Sequence, residues 1–511
     1  MRFNVKKLIE DELAHGTVKN HEGERAYALN PELELYTAVA TSFVSDKFYE
    51  GSEKFIIRLR GLIAQCEPQF VAKLAVFARE EMHLRSIPLV LLVELAKIHS
   101  GDDLLSKATA KVVARADEIT ELLAYYQMAN ERYQTKKLHR LSKQLQKGLA
   151  VAFNKFDEYQ FAKYNRKAAV TLKDALFLVH PKAKDEAQQA LFDKIVNEDL
   201  QVPYTWETEL SALGQQRFEN EAHKAKAFKA KWEALIESKK VGYMALLRNL
   251  RNMLQTGVGL GYLKVVAKRL ANPNAVKKSK QLPIRFLAAY NELAALDFNA
   301  KKVLMKALEE AVLVSAENIQ GFKPNTKVLI ASDVSGSMYQ PLSRNSKVRL
   351  YDVGLMLSML LQSKCKHVET GIFGDTWATV QLPSKNVLKN VDALQSLEGS
   401  VGYSTNAYLV IEYLINTGKA MDKVMFFTDM QMWNSRYDGN TLQEAWVQYK
   451  RQVAPNAKLY LFDLAGYGQA PVRMKGDGVF LIAGWSDKVF AMLEAVEKGE
   501  SAVEAIHQVA L

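Results

Sequence analysis

Asp333, Ser335 and Ser337 alternate in the string Asp333-Val334-Ser335-Gly336-Ser337, which follows the apolar run Val328-Leu329-Ile330-Ala331 and Ser332. One carboxylate and two hydroxyls at alternate positions put three oxygen donors on one loop, the donor type that a hard divalent cation such as Mg²⁺ takes. Two further loops offer oxygen ligands beside apolar segments. Ser404-Thr405-Asn406 follows the glycine-bearing Gly399-Ser400-Val401-Gly402, and Thr428-Asp429 ends the run Val424-Met425-Phe426-Phe427. A metal-free alternative makes Asp333 a helix N-cap and Thr428-Asp429 a turn.

Donors this far apart meet only if a scaffold gathers the loops, and an open parallel sheet does so outside the carboxyl ends of its strands. The chain after Gly321-Phe322-Lys323-Pro324, read as a linker, has the texture of such a sheet. Short apolar strands (Val328 to Ala331, Thr370 to Phe373, Val424 to Phe427, Leu459 to Leu464, Val479 to Ala483) alternate with helical stretches such as Leu350 to Gln362. That alternation predicts an α/β doubly wound, Rossmann-like domain over residues 325–511. The three loops together resemble the metal-ion-dependent adhesion site of a von Willebrand factor A domain. The resemblance implies that the hydroxyls of Ser335, Ser337 and Thr405 touch Mg²⁺, while Asp333 and Asp429 hold its waters. The first loop fits the family pattern, with Gly336 between the serines. The second departs from it, because Val401-Gly402-Tyr403-Ser404 stands where a Gly-Gly pair often precedes the threonine, and this leaves the place of Thr405 open.

The first part of the chain has a different period. Phe70-Val71, Leu74-Ala75 and Phe77-Ala78, then Leu89, Leu92-Val93 and Leu95-Ala96 after Pro88, recur at three- and four-residue steps, as buried faces of amphipathic helices do. Residues 1–321 are therefore expected to be all-α, built of helical pairs that can stack as a solenoid. Helices near Asp487 to Glu497 and Ala502 to Val509 are expected either to cover the sheet or to dock on the helical part.

Charge divides along the same line. From Asn325 to Leu511 there are 18 Lys plus Arg and 18 Asp plus Glu, so the chain's net charge of +11 lies entirely before Asn325. Arg132 to Lys184 alone carries 13 basic residues against Asp157, Glu158 and Asp174. A field of that size attracts polyanions, nucleic acid first among them, with phosphate contacts and counterion release supplying much of the affinity. A solvated helix face is the alternative.

Several strings in the helical part resemble the TROVE family, the Ro autoantigen and its bacterial relatives. They are Asn20-His21-Glu22-Gly23 with Ala26-Tyr27-Ala28-Leu29, Phe48-Tyr49 after Ser45-Asp46, Ala245 to Met253, and Leu282 to Tyr290. The resemblance spans nearly the whole chain and implies a ring of HEAT-like helical pairs joined to the von Willebrand A-like domain. It also implies an RNA-binding ribonucleoprotein that scaffolds Y-like small noncoding RNA and takes in misfolded RNA with single-stranded ends. A 3′ exonuclease such as polynucleotide phosphorylase is the protein partner it suggests. Lys163-Tyr164-Asn165-Arg166-Lys167, Leu172 to Leu176 and Val179-His180 are similar to the family's Y RNA contact segment, which carries over to Lys163, Lys167 and His180. Arg166 and Lys173 are added on charge. His180 before Pro181 also reads as a helix-end residue, and Arg248 and Arg251 read equally as lining the bore or as ring packing.

The composition excludes several classes. With 48% hydrophobic residues and no long apolar run, and with Glu10, Asp11 and Glu12 where a signal peptide needs its hydrophobic stretch, the expectation is a cytoplasmic, membrane-free, monomeric binder. Cys66 and Cys365 are too few and too far apart for a disulfide framework or thiolate zinc site. No catalytic constellation is present: the nine histidines lack metal-ligand spacing and there is no phosphate-binding Gly-rich loop. The competing reading is a metal-dependent adaptor for an ATP-driven remodelling machine, with the basic face incidental.

Overall fold

A hairpin opens the described part of the chain: β1 (Thr17–Lys19) and β2 (Arg25–Ala28) pair antiparallel, with Val18 opposite Ala26. Asn20 shapes its turn, its Oδ1 accepting from the backbone N–H of Glu22 and Glu24 at 3.0 and 2.9 Å. Gly23 there has φ +84°, a region that favours glycine. The computed structural model describes residues 17–42, 49–130, 141–165, 168–317, 319, 322–342, 346–474, 478–499 and 501–511. Among these, no helix is long and apolar enough to cross a membrane.

The chain divides into two compact units that interleave in sequence. One comprises Pro31–Val44, Gly51–Tyr204 and Glu500–Leu511; the other comprises Met1–Asn30, Ser45–Glu50 and Thr205–Gly499.

In the first of these units, helices follow one another as the periodicity predicts. Pro68–Glu80, with Pro68 in its first turn, packs on Ser86–Ile98, and Ser86–Ile98 packs on Ala116–Ala129. Leu104–Val112 and Lys143–Phe153 approach so closely that a Cβ at Gly148 would lie 2.4 Å from the Cβ of Thr109. The final helix, Ala502–His507, packs on Pro31–Ala40 and Pro68–Glu80, with the His507 ring 5.1 Å from Phe70. It stops two residues short of the expected Val509.

The second unit contains both helices and sheet. Its helical part breaks at Asn249, between Tyr243–Arg248 and Leu250–Gln255. Asn249 is buried at φ −106°, ψ 11°, and its side-chain amide donates to the Ala245 carbonyl at 2.8 Å. A short polar side chain that bonds its own backbone competes with the helix, and here it wins.

The sheet follows: β3 (Lys327–Asp333), β4 (His367–Phe373), β5 (Trp377–Thr379), β6 (Lys423–Thr428), β7 (Lys458–Asp463), β8 (Gln469–Ala470) and β9 (Val479–Ala483). Six of these form one sheet in the order β5-β4-β3-β6-β7-β9, parallel throughout except for β5. β8 instead pairs with β2, extending the hairpin to three strands. The inner strands are buried on both faces, which explains their unbroken apolar runs. Leu350–Gln362 packs on β3 and β6, and Val489–Glu497 covers β9. Because β3 has β4 on one side and β6 on the other, the order reverses there. A doubly wound sheet leaves its crevice at that switch, outside the ends of β3 and β6.

Candidate functional site

Asp333 ends β3 and Thr428 ends β6, so parallel register alone brings the first and third loops together at the switch point. The Thr428 hydroxyl donates to Asp333 Oδ2 at 2.5 Å, and the Ser335 backbone N–H donates to Asp333 Oδ1 at 2.8 Å. Ser335 and Ser337 place their hydroxyl oxygens 3.4 Å apart. Asp429 follows directly, fully buried, with Oδ1 accepting from the Gln431 N–H at 3.0 Å and Oδ2 making no hydrogen bond.

The second loop docks between the other two. The Gly336 N–H donates to the Tyr403 carbonyl at 2.9 Å, and Thr405 forms an isolated β-bridge with Trp433, four residues beyond Asp429. Gly402 alone does the steric work expected of a glycine pair. Its φ is +77°, and a Cβ there would meet the Asp375 carboxylate at 2.2 Å. Asp375 fastens the loop by accepting from the Ser404 N–H at 2.8 Å, and the Ser404 side chain, with this backbone bond, holds its carboxyl below the usual range.

Burial pushes both Asp333 and Asp429 upward from the usual carboxylate pKa, and for Asp429 the neighbouring charges of Asp333 and Asp463 push the same way. Two buried acids with one unsatisfied oxygen are costly without a compensating positive charge. Among the described residues no three His, Cys, Asp or Glu side chains gather as a metal cluster. A cation here would accordingly rely on hydroxyls and waters, and the donor set of Asp333, Ser335, Ser337, Thr405 and Asp429 fits a hard ion. Sequence reasoning missed Thr428 as the group that orients Asp333. It also missed Asp463, although the signal was the same: an aspartate closing an apolar strand.

The basic segment lies in the other compact unit. Lys163 is exposed in the last turn of Glu158–Tyr164, its Nζ 5.8 Å from the Tyr159 ring centroid and 5.5 Å from that of Tyr164. Lys173 lies on Leu172–Val179 and is 3.3 Å from Glu198, a solvent-exposed pair. His180 caps that helix at φ 50°, its N–H donating to the Leu176 carbonyl while its side chain stays exposed. The capping role and an outward-facing imidazole thus coexist. Arg166 and Lys167 lie outside the described residues.

Capping boxes fix both helix starts, Asp157 with Gln160 and Thr171 with Asp174, and both helices pack on Ala116–Ala129. Between them is a cavity of about 250 Å³ lined by Asp117, Glu121, Tyr164 and Leu172 among others. Tyr159 and Phe177, each about half exposed, are aromatics that the charge count overlooked.

Comparison with known proteins bears on both regions. The TROVE domain model matches residues 32–209 and 198–347, and the Ro60 vWA domain model matches 327–496. Telomerase protein component 1 of Rattus norvegicus is 24% identical over 341 residues, 52% of this chain and 12% of that protein. Its Mus musculus counterpart is 23% identical over 350 residues, 53% of this chain and 13% of that protein. The chain therefore spans only a small part of the length of these curated relatives. The crystal structure of the Deinococcus radiodurans RO (RSR) protein superposes with a TM-score of 0.56 at 18% identity, covering 90% of this chain and 99% of that one. That likeness speaks to the fold, a helix-rich N-terminal region followed by a mixed α/β domain. With its matches running across most of the length, the chain belongs to the TROVE family and carries a Ro60-type vWA domain towards its C-terminus.

Proposed function

We propose that this protein is an RNA-binding scaffold that holds a Y-like small noncoding RNA and takes part in quality control of misfolded RNA, acting as a binder rather than a catalyst. The observation that carries the proposal is the basic segment. Lys163 and His180 are exposed on two short capped helices packed on Ala116–Ala129, with the exposed rings of Tyr159 and Phe177 on the same two helices. Cations contact phosphates and rings stack on unpaired bases, the combination that folded RNA with loops and single-stranded ends requires. Family membership supports the same reading, and an exonuclease of the polynucleotide phosphorylase type is the collaborator that such a scaffold would present with its RNA. In the vWA-type domain, Mg²⁺ would be held by Ser335, Ser337 and Thr405 directly and by Asp333 and Asp429 through water. When bound it would neutralise two buried carboxylates and leave a coordination position for one more oxygen.

The test is binding of a structured RNA with a single-stranded tail to the full chain and to the double variant Lys163→Glu, Lys167→Glu. At least a tenfold loss, about 1.4 kcal/mol, is expected at low salt. Unchanged affinity would refute the assignment. The adaptor reading predicts instead a protein partner that dissociates in chelator or on Asp333→Ala.

A further inference from the structure

The cavity between the two capped helices presents carboxylates rather than cations, so it is not built for phosphate. Asp117 and Glu121 stand one turn apart on Ala116–Ala129, and both line it. Tyr164, the last residue of Glu158–Tyr164, forms a second wall, and the buried Val170 and Leu172 form an apolar third. Ala168 and Ala169, both exposed, line it with side chains too small to close it. At about 250 Å³ the space is smaller than the roughly 300–1,000 Å³ that drug-sized ligands occupy, and suits a single planar ring. All of these residues belong to one compact unit.

The two acids differ. Asp117 is neutralised by Arg115 at 3.0 Å and Arg85 at 2.8 Å. The same Arg115 guanidinium lies 4.5 Å from the Tyr164 ring centroid, so Asp117 holds the arginine and the arginine holds the ring. Glu121 pairs with no cation among the described residues, and its Oε1 accepts from the Ser86 hydroxyl at 2.6 Å. A carboxylate has about four lone-pair sites, so that one bond leaves Glu121 able to accept more. Lys163 stands at the same wall, exposed, with Nζ 5.5 Å from the Tyr164 centroid.

We propose that this cavity takes one unpaired RNA base bearing an exocyclic amine, with Tyr164 against the base, the amine donating to Glu121, and Lys163 on the adjoining phosphate. The inference rests on reading the basic segment as an RNA surface. Bases splayed out of loops and single strands are bound by stacking and by hydrogen bonds to their edges. Here the carboxylate selects the edge. It accepts from the amino group of cytosine, adenine or guanine, whereas uracil turns a carbonyl oxygen to the same place and leaves two acceptors facing each other. An acid within a basic surface works against the affinity of every RNA alike, so what Glu121 contributes is choice among bases.

The experiment uses the full chain and two single-stranded probes, oligocytidine and oligouridine of equal length, whose phosphate contacts cancel in the ratio of affinities. The native protein should bind oligocytidine about tenfold more tightly. Glu121→Gln, whose amide can donate to uracil as well as accept from cytosine, should bring the two within about twofold. Ser86→Ala removes the other partner of Glu121 and should leave the preference in place. If it erases the preference as fully as Glu121→Gln does, the carboxylate acts through helix packing and the pocket is refuted. A preference that survives Glu121→Gln refutes it as well. If the native protein does not distinguish the two oligomers, yet structured RNA binds and is lost on Lys163→Glu with Lys167→Glu, the pocket fails and the RNA surface stands. If no RNA binds at low salt, both fail.

Discussion

Glu94 shows what single residues contribute outside the candidate sites. It is 3% exposed, yet it is charged, because Arg60 and Lys97 each approach within 3.0 Å and the Tyr125 hydroxyl donates at 2.6 Å. Burial by itself would raise its pKa, but these three partners outweigh burial and hold the carboxyl below its usual range. A folded-state value below the unfolded one adds stability that is present at neutral pH and lost as pH falls through the folded value. The Glu94→Gln variant should therefore be less stable at pH 7 by about 1–3 kcal/mol, since its partners lose a charged acceptor while remaining partly solvated. The gap should narrow as pH falls below about 4, the ordinary glutamate value, because the unfolded chain then takes up a proton that the folded carboxyl still resists, and should close only below the folded value. Thermal unfolding of both proteins at pH 7 and pH 3 checks this, and an equal gap at the two pH values would mean that charge is not what Glu94 contributes.

Elements were legible in the sequence where burial is strong and local. The apolar strands that become β3, β6, β7 and β9 lie within one or two residues of their expected bounds, and Leu350–Gln362 matches outright, because two-sided burial leaves a signal in every residue. What was not legible depends on distant partners. β1 and β2 are too short to show a period, β8 has two residues, and the hairpin's place at the metal loops rests on contacts some 410 positions apart in the chain. The break at Asn249 is local but turns on one side-chain bond that periodicity cannot see. Gly148 is another case. It is the point where Lys143–Phe153 meets Leu104–Val112, with the Ser106 carbonyl 2.8 Å from where a Cβ would sit, a closeness that only the folded pair reveals. Gly148→Ala should gain about 1 kcal/mol in helix propensity but lose about 1–3 kcal/mol to overpacking. Gly148→Val should lose more. Urea unfolding that found either variant stabilised would show that the helix pair can spread at no cost.

For the whole molecule the deciding quantity is where the charge lies. The chain carries +11, and its last 187 residues, from Asn325, contribute none of it. If RNA is held through phosphates on the basic segment, each lost contact should flatten the dependence of log affinity on log salt by about 0.7–0.9. Lys143→Gln, Lys163→Gln and Lys173→Gln together should thus reduce the slope by about two. The deficit stays short of three full contacts because Lys173 is already paired with Glu198. Lys385→Gln with Lys389→Gln, exposed cations of the neutral part, changes the chain's total charge almost as much but should leave the slope as it was. The comparison separates a located contact surface from a general attraction between a basic protein and a polyanion. In the second case the two sets of variants would flatten the slope in proportion to the charge removed, wherever it was removed.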